Sequence, residues 1–165
     1  MADVNKYEDV LDSRDIIDRI EELEEERTAL VDTLSEASEV EAELNEKRSN
    51  DPDATELENL DSAKTEREDA ARALEEWDSE NGDELKALKA LAEEAEGYGD
   101  WPYGETLIRD SYFKEYAQEL AEETDSIPKG LTWPLTCIDW DQAARELQYD
   151  YTSVDFDGVT YWMRS

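Results

Sequence analysis

Residues Ile138 to Trp162 read IDWDQAARELQYDYTSVDFDGVTYW, which combines a helix start, a short amphipathic helix and a hairpin. Asp139 is suited to cap the helix, because its carboxylate can accept a hydrogen bond from a free N–H group of the first turn. The apolar residues that follow at helical spacing are Trp140, Ala143, Ala144 and Leu147. Asp157-Gly158 lies between alternating β-branched and aromatic residues and predicts a type I′ turn, which needs positive φ at both central positions. We therefore expect the chain to end in a helix and a β-hairpin.

The N-terminal region carries a different pattern, a heptad repeat. Pro and Gly are absent from Tyr7 to about Arg48, and the repeat is interrupted by charges at Arg27 and Glu41. Its apolar members are Ile16, Ile20, Leu23, Leu30, Leu34, Ala37 and Leu44. A narrow apolar seam between polar faces is typical of a coiled coil or a helical hairpin. Pro52 is expected to end this first helix, because it disfavours helix at the preceding residue.

A second helix is expected from near Pro52 to about Ser79, with a weaker repeat. Its seam consists of Leu57, Leu60, Lys64, Arg67, Ala71, Leu74 and Trp77 or Asp78. The short turn favours an antiparallel hairpin whose seams face each other. The alternative is a parallel dimeric coiled coil built from either run, in which the exposed seam pairs across a two-fold axis. Asn81-Gly82 is expected to break the helix, with Asp83 capping a shorter one.

Composition changes at Gly97–Gly104, which reads GYGDWPYG. Residues 1–97 contain one Trp and one Tyr and have a net charge of −23, whereas residues 98–165 contain four Trp, seven Tyr and both Phe and have a net charge of −9. We expect 1–97 to form an acidic helical hairpin or coiled-coil arm and 98–165 to form a compact aromatic-rich α+β domain. The predicted fold class is mostly α, α+β.

Within residues 98–165 the expected order is helix, loop, helix and hairpin. Glu105 to Glu123 shows a wide apolar stripe and predicts one helix. A loop follows from Thr124 to Trp133, and Pro134 to Ile138 is expected to be a short strand or an extended approach to the last helix.

The charge of the chain limits its partners. Asp and Glu number 48 against 16 Lys and Arg, with no His, so the net charge is −32. This sign opposes direct binding to nucleic acid and to anionic membranes and favours basic partners. No apolar run approaches the ~20 residues of a membrane span. The N-terminus, MADVNKYEDV, lacks the basic and apolar regions of a signal peptide, so we expect a cytoplasmic location, in the host cell if a phage encodes the chain.

Catalysis is not expected from this sequence. Cys137 is the single cysteine, which excludes an intramolecular disulfide and a cysteine-based zinc site, and without His it has no base to activate it. A Gly-rich phosphate loop and a calcium-binding EF-hand loop are also absent. We therefore predict a protein that is not an enzyme and that needs no cofactor or metal.

Four segments resemble a known family. They are YFKEYAQEL at 112–120, IDWDQAAREL at 138–147, YDY at 149–151 and DGVTYW at 157–162. Together, over about 101–162, they resemble the ArdA-type antirestriction proteins of phages and mobile elements. The resemblance implies a DNA mimic that occupies the DNA-binding groove of a host type I restriction–modification enzyme. Residues 1–97 depart from that family, which consists of small α/β modules throughout.

The candidate mimic surface is acidic. The resemblance implies these positions in the matching segments: Glu115, Glu119, Asp139, Asp141, Glu146, Asp150, Asp155 and Asp157. The N-terminal helices contribute Glu21, Glu22, Glu25, Glu36, Glu39 and Glu43. Duplex DNA carries one negative charge per ~1.7 Å of its axis. Because an α-helix rises ~1.5 Å per residue, each long helix would form an acidic rod about 40 Å long.

Other interpretations of these residues stay open. Glutamate-rich helices are usually solvated faces with some i,i+4 pairing. A large acid excess also occurs in proteins adapted to high salt. The same surface would suit another DNA-binding host defence, such as a CRISPR effector. A coiled-coil adaptor or scaffold that uses the seam from Ile16 to Leu44 is the alternative outside DNA mimicry.

Overall fold

The computed structural model describes residues 4–48 and 50–164, in which two long helices precede a small α+β structure. The helices are α1 (Ser13–Lys47), α2 (Ala54–Ala95), α3 (Trp101–Gly104), α4 (Phe113–Glu123) and α5 (Trp140–Leu147). The strands are β1 (Val10–Asp12), β2 (Thr106–Arg109), β3 (Tyr151–Phe156) and β4 (Val159–Arg164). The predicted fold class, mostly α with an α+β part that ends in a β-hairpin, is confirmed.

The chain divides into two compact units. Residues 20–86, here called the rod unit, contain most of α1 and α2. The described residues up to 19 and from 87 onward form the sheet unit. The sheet unit therefore includes the start of α1 and the end of α2, which the sequence pattern had grouped with the helical arm.

In the rod unit, α1 and α2 form an antiparallel hairpin. Arg27 contacts Asp78 at 2.8 Å, and Glu41 contacts Arg67 at 2.5 Å. The partner numbers rise along α1 as they fall along α2, so the helices run in opposite directions. The charges that interrupt the first seam thus meet seam positions of the second helix. Five leucines of the seam are half-buried, namely Leu30, Leu34, Leu44, Leu60 and Leu74.

The expected break at Asn81-Gly82 and the helix start at Asp83 are wrong. Helix α2 continues through both positions to Ala95. A glycine inside a helix costs only about 1 kcal/mol relative to alanine. Asn81 Nδ2 also donates back to the carbonyl oxygen of Trp77 at 3.3 Å, and the apolar repeat resumes after the glycine. The buried residues of that resumed repeat are Leu85, Leu88, Leu91 and Ala95.

The sheet unit is built on an antiparallel sheet in the order β1-β2-β4-β3. Strands β3 and β4 are joined by the two residues Asp157 and Gly158, with φ of 49° and 81°. Positive φ at both positions confirms the predicted type I′ turn. The predicted cap is confirmed as well, because Asp139 Oδ1 accepts from the backbone N–H of Gln142 at 3.0 Å at the start of α5.

One face of this sheet is covered by α4 and α5 through an aromatic core. Phe113 is its centre: its ring lies 5.1 Å from that of Tyr151, 5.6 Å from that of Tyr116 and 6.0 Å from that of Trp162. Ile108, Ala117 and Ala144 complete the buried cluster. Edge-to-face contacts of this kind add to the free energy gained by burying the rings.

Two sequence-based assignments in the sheet unit are wrong. The expected helix from Glu105 to Glu123 is strand β2, a three-residue 3-10 turn and then α4. Leu107 and Ile108 point to opposite faces of the sheet and are both buried. The sequence did not reveal the strand, because two adjacent apolar residues occur both in a strand that is buried on both faces and in the wide apolar stripe of a helix. Pro134–Ile138, expected to be a short strand or an extended approach to the last helix, instead contains a 3-10 turn over Leu135–Cys137, in which the Cys137 N–H donates to the Pro134 carbonyl oxygen.

Candidate acidic interaction surface

The predicted acidic positions lie at the surface of the protein. Thirteen of the fourteen are exposed, and Glu22 is half-buried. Six belong to the rod unit and eight to the sheet unit. The two sets differ in what their carboxylates contact.

In the rod unit, five of the predicted glutamates form one stripe along α1. At about 100° per residue, their positions fall within about 60° of one another around the helix axis. The stripe consists of Glu21, Glu25, Glu36, Glu39 and Glu43, and all are exposed. Glu22 lies about 100° away from Glu21 and is not part of the stripe. The stripe therefore presents carboxylates in one direction over more than five helical turns.

Asp32 belongs to the same stripe and was not predicted. It is exposed and lies between Glu25 and Glu36, at nearly the same angle around α1. It lies outside the densest glutamate clusters of the sequence, on which the prediction was based. Counting angular positions on a helix would have found Asp32, because that count needs only the 3.6-residue period.

The rod unit as a whole carries a high charge density. It contains 25 Asp and Glu against 7 Lys and Arg, a net charge of −18. Its two helical segments are each about 45 Å long, which gives roughly one carboxylate per 1.8 Å of axis and roughly one net charge per 2.5 Å. Duplex DNA presents one charge per ~1.7 Å. The gross carboxylate density thus matches that of DNA phosphates, and the net density is about two thirds of it.

Basic residues of the rod unit neutralise part of this charge at the helix contact. The Arg27 guanidinium donates to both carboxylate oxygens of Asp78, at 2.8 and 3.3 Å, and holds the pKa of that carboxyl below its usual range. Trp77 Nε1 donates to Glu26 at 2.9 Å across the same contact. These carboxylates lie at the contact between α1 and α2 and are distinct from the exposed stripe.

Most predicted acids of the sheet unit have structural contacts. Asp139 caps α5, Asp141 pairs with Lys114 at 3.0 Å, and Asp157 pairs with Lys6. Three more accept hydrogen bonds: Glu119 from the Tyr112 hydroxyl, Glu146 from Gln142 and Asp155 from the Gly158 N–H. The hydrogen bond to Glu119 raises the pKa of Tyr112. Substitutions at these acids would change local structure as well as charge.

Apart from the acidic surface, the described residues show neither a metal site nor a membrane-spanning helix. Within 4–48 and 50–164, no group of three or more His, Cys, Asp or Glu side chains is arranged to hold a metal ion. The thiol-bearing residue Cys137 is exposed. None of the helices in these ranges is long and apolar enough to cross a membrane.

Protein-family models, curated proteins and solved structures yield no match to this chain. The resemblance to ArdA-type proteins therefore stays a prediction, and the acidic surface has to be interpreted from its own geometry.

Proposed function

We propose that this chain is a DNA mimic that inhibits a host type I restriction–modification enzyme by occupying its DNA-binding groove. The observation that supports this most is the charge density of the rod unit, about one carboxylate per 1.8 Å of axis. A groove lined with Lys and Arg binds DNA mainly through its phosphates. A rigid rod with carboxylates at that density can displace DNA without any catalytic group.

The stripe on α1 gives the mimic a direction. Its glutamates face one side of the helix, so they can contact one wall of a basic groove together. Binding through such contacts releases counterions from both surfaces and should weaken steeply with salt. Affinity for the enzyme is therefore expected to fall as salt rises.

The choice of a type I restriction enzyme comes from the ArdA-like segments of the sheet unit. Without that resemblance, the acidic rod would suit any defence protein with a basic DNA groove, including a CRISPR effector. A coiled-coil adaptor is the alternative of another class. It would need the Ile16–Leu44 seam for a partner helix, whereas in the rod unit charged seam residues already contact α2.

The test is a phage-plating assay in host cells with and without a type I restriction system. Protection of unmodified phage DNA only in restricting cells is the expected result. A stripe variant with Glu21, Glu25, Glu36 and Glu39 all replaced by Gln should lose protection, since Gln keeps helix propensity and removes the charge.

A matched control removes four charges elsewhere. Glu93→Gln, Glu96→Gln, Glu123→Gln and Asp125→Asn lie at exposed positions of the sheet unit and change the net charge by the same amount. This control should protect as the wild type does. Absence of protection by the wild-type protein would overturn the proposal, and equal protection by both variants would remove the stripe from it.

A further inference from the structure

The rod unit combines a large charge with a small core. Across 20–48 and 50–86, the only buried residues are Leu23, Ala63 and Leu85. Hydrophobic burial is the main favourable contribution to folding, and self-repulsion at high net charge opposes the compact state. The rod unit has little hydrophobic burial and strong self-repulsion between its charges.

Attraction between opposite charges cannot balance this repulsion. The rod unit contains seven basic residues against 25 acids, so its negative charges exceed its positive charges by 18. Along the α1 stripe, successive acidic residues are separated on average by about 7 Å along the helix axis. That spacing is shorter than the screening length at low salt, about 30 Å at 0.01 M, and longer than the ~3 Å at 1 M.

Salt acts on both kinds of interaction in the rod unit. It weakens ion pairs such as those of Arg27 and Arg67, and it weakens repulsion among the carboxylates. Because the excess negative charges outnumber the basic residues by more than two to one, the loss of repulsion is the larger effect. Added salt should therefore stabilise the rod unit.

The sheet unit differs in both respects. Of the 20 buried residues in the part of the chain that the structure describes, the sheet unit holds 17, and it also holds the aromatic cluster around Phe113. Its net charge of −14 is spread over 98 residues, against −18 over 67 in the rod unit. Its fold should consequently be much less sensitive to ionic strength.

We propose that the rod unit is a cation-gated hairpin. It folds when its carboxylates are screened by salt or lie against a polycationic surface, and it unfolds at low ionic strength while the sheet unit stays folded. The cations act by diffuse screening, so no discrete ion site is involved. This inference does not rest on the proposed function, because it concerns folding and holds for any basic partner.

Hydrogen exchange of the full-length protein, read peptide by peptide, tests the proposal. Between about 10 mM and about 1 M NaCl, where the screening length changes tenfold, exchange in α1 and α2 peptides of the rod unit should slow by tenfold or more. Peptides from β3 and β4 should change far less. Equal rod-unit protection at both salt concentrations, or joint loss of protection in both units, would overturn the inference.

A polycation separates surface binding from simple screening. At low salt, deca-lysine should restore protection of the rod unit, and free lysine at the same total lysine concentration should not, because linked charges act together. Failure of deca-lysine would overturn the part of the inference that concerns polycationic surfaces.

The stripe variant described above should fold at lower salt than the wild type and show a smaller salt dependence. The sheet-unit control with the same net charge should keep the wild-type dependence of the rod unit. If the two variants show the same salt dependence of rod-unit protection, the total charge of the protein and not the charge of the rod unit determines that dependence. The gating assigned to the rod unit would then be wrong.

Discussion

Arg67 of α2 donates to Glu41 of α1 with an Nε–Oε2 distance of 2.5 Å, so two charges that interrupt the heptad seams lie directly opposite each other. Arg27 and Asp78 repeat the arrangement near the other end of the rod unit. A charge in an apolar seam is unfavourable when it faces a leucine and acceptable when it faces its counterpart. The two pairs therefore favour one register and an antiparallel orientation over shifted alternatives.

Reversing one charge of the Glu41–Arg67 pair should destabilise the rod unit. Arg67→Glu places two carboxylates in contact and should lower the free energy of unfolding by about 1 kcal/mol or more. The double variant Glu41→Arg/Arg67→Glu should recover most of the loss, since it restores an ion pair. Urea unfolding followed by circular dichroism measures both. A double variant as unstable as Arg67→Glu would show that the pair has no energetic coupling.

The Asp78 carboxylate should make an acid-sensitive contribution to the rod unit. Arg27 lowers the pKa of Asp78 through its hydrogen bonds, so the folded state binds this proton less readily than the unfolded state. The stabilisation is therefore present above the unfolded pKa of about 3.9 and is lost as pH falls through the lower folded pKa. Other carboxylates also titrate there, so the useful quantity is the stability difference between wild type and Asp78→Asn.

That difference should be largest near neutral pH and shrink as the pH falls below about 4. The exposed acid Glu80 on the same helix provides the control, and Glu80→Gln should show no comparable decrease. A wild-type advantage over Asp78→Asn that grows on acidification would contradict the assignment.

The cap of α5 separates structural from electrostatic roles of one acid. Asp139→Ala removes the acceptor for the Gln142 N–H and should cost about 1 kcal/mol. Asp139→Asn keeps a good capping residue and removes only the charge, so its thermal stability should stay close to that of the wild type. Differential scanning calorimetry distinguishes them. If Asp139→Asn protects phage DNA as the wild type does, the charge of Asp139 is dispensable for mimicry.

Local patterns predicted the end of the chain well. The cap at Asp139 and the turn at Asp157-Gly158 depend on residues within a few positions of each other, and both are confirmed. The hairpin of α1 and α2 was also predictable, because the apolar seam of a helix repeats over many turns. In each case the interactions that decide the structure are close in sequence or periodic.

Pairing between residues that are far apart in the sequence could not be predicted. Strand β1 is three residues long, and its Leu11 pairs with Leu107, from which both long helices separate it in the sequence. The buried hydroxyl of Ser13 donates to the Trp101 carbonyl oxygen and accepts from the Glu105 N–H. No local sequence pattern distinguishes such a short strand from a loop, so β1 is defined only by its pairing with β2 in the folded protein.

The acidic surface was predictable for the same reason as the helices. The α1 stripe follows from helical period, and the exposure of its glutamates follows from their charge. The pairs Lys114–Asp141 and Lys6–Asp157 join distant segments and were not predicted. They give two proposed mimic positions a structural role, which a sequence pattern cannot distinguish from free surface charge.

The sheet unit should show an alkaline instability that comes from Tyr161. Its ring is fully buried, and its hydroxyl lies 2.7 Å from the Glu8 carbonyl oxygen and 2.9 Å from that of Lys6, so it can donate to either. Burial raises the pKa of Tyr161 to about 12. The folded state thus holds this proton more tightly than the unfolded state, so its stabilisation is complete below about pH 10 and is lost as pH rises through the folded pKa.

Tyr161→Phe keeps the ring and removes the hydroxyl. At neutral pH it should cost about 1 kcal/mol, the usual net contribution of one hydrogen bond. Because phenylalanine has no proton to lose, the wild-type advantage should shrink between about pH 10 and 12, where the unfolded tyrosine ionises first. Urea unfolding of both proteins across this range, in high salt to keep the rod unit folded, measures the difference. A constant difference would mean that Tyr161 has the same pKa in the folded and unfolded states, and therefore that burial of its hydroxyl carries no penalty for ionisation.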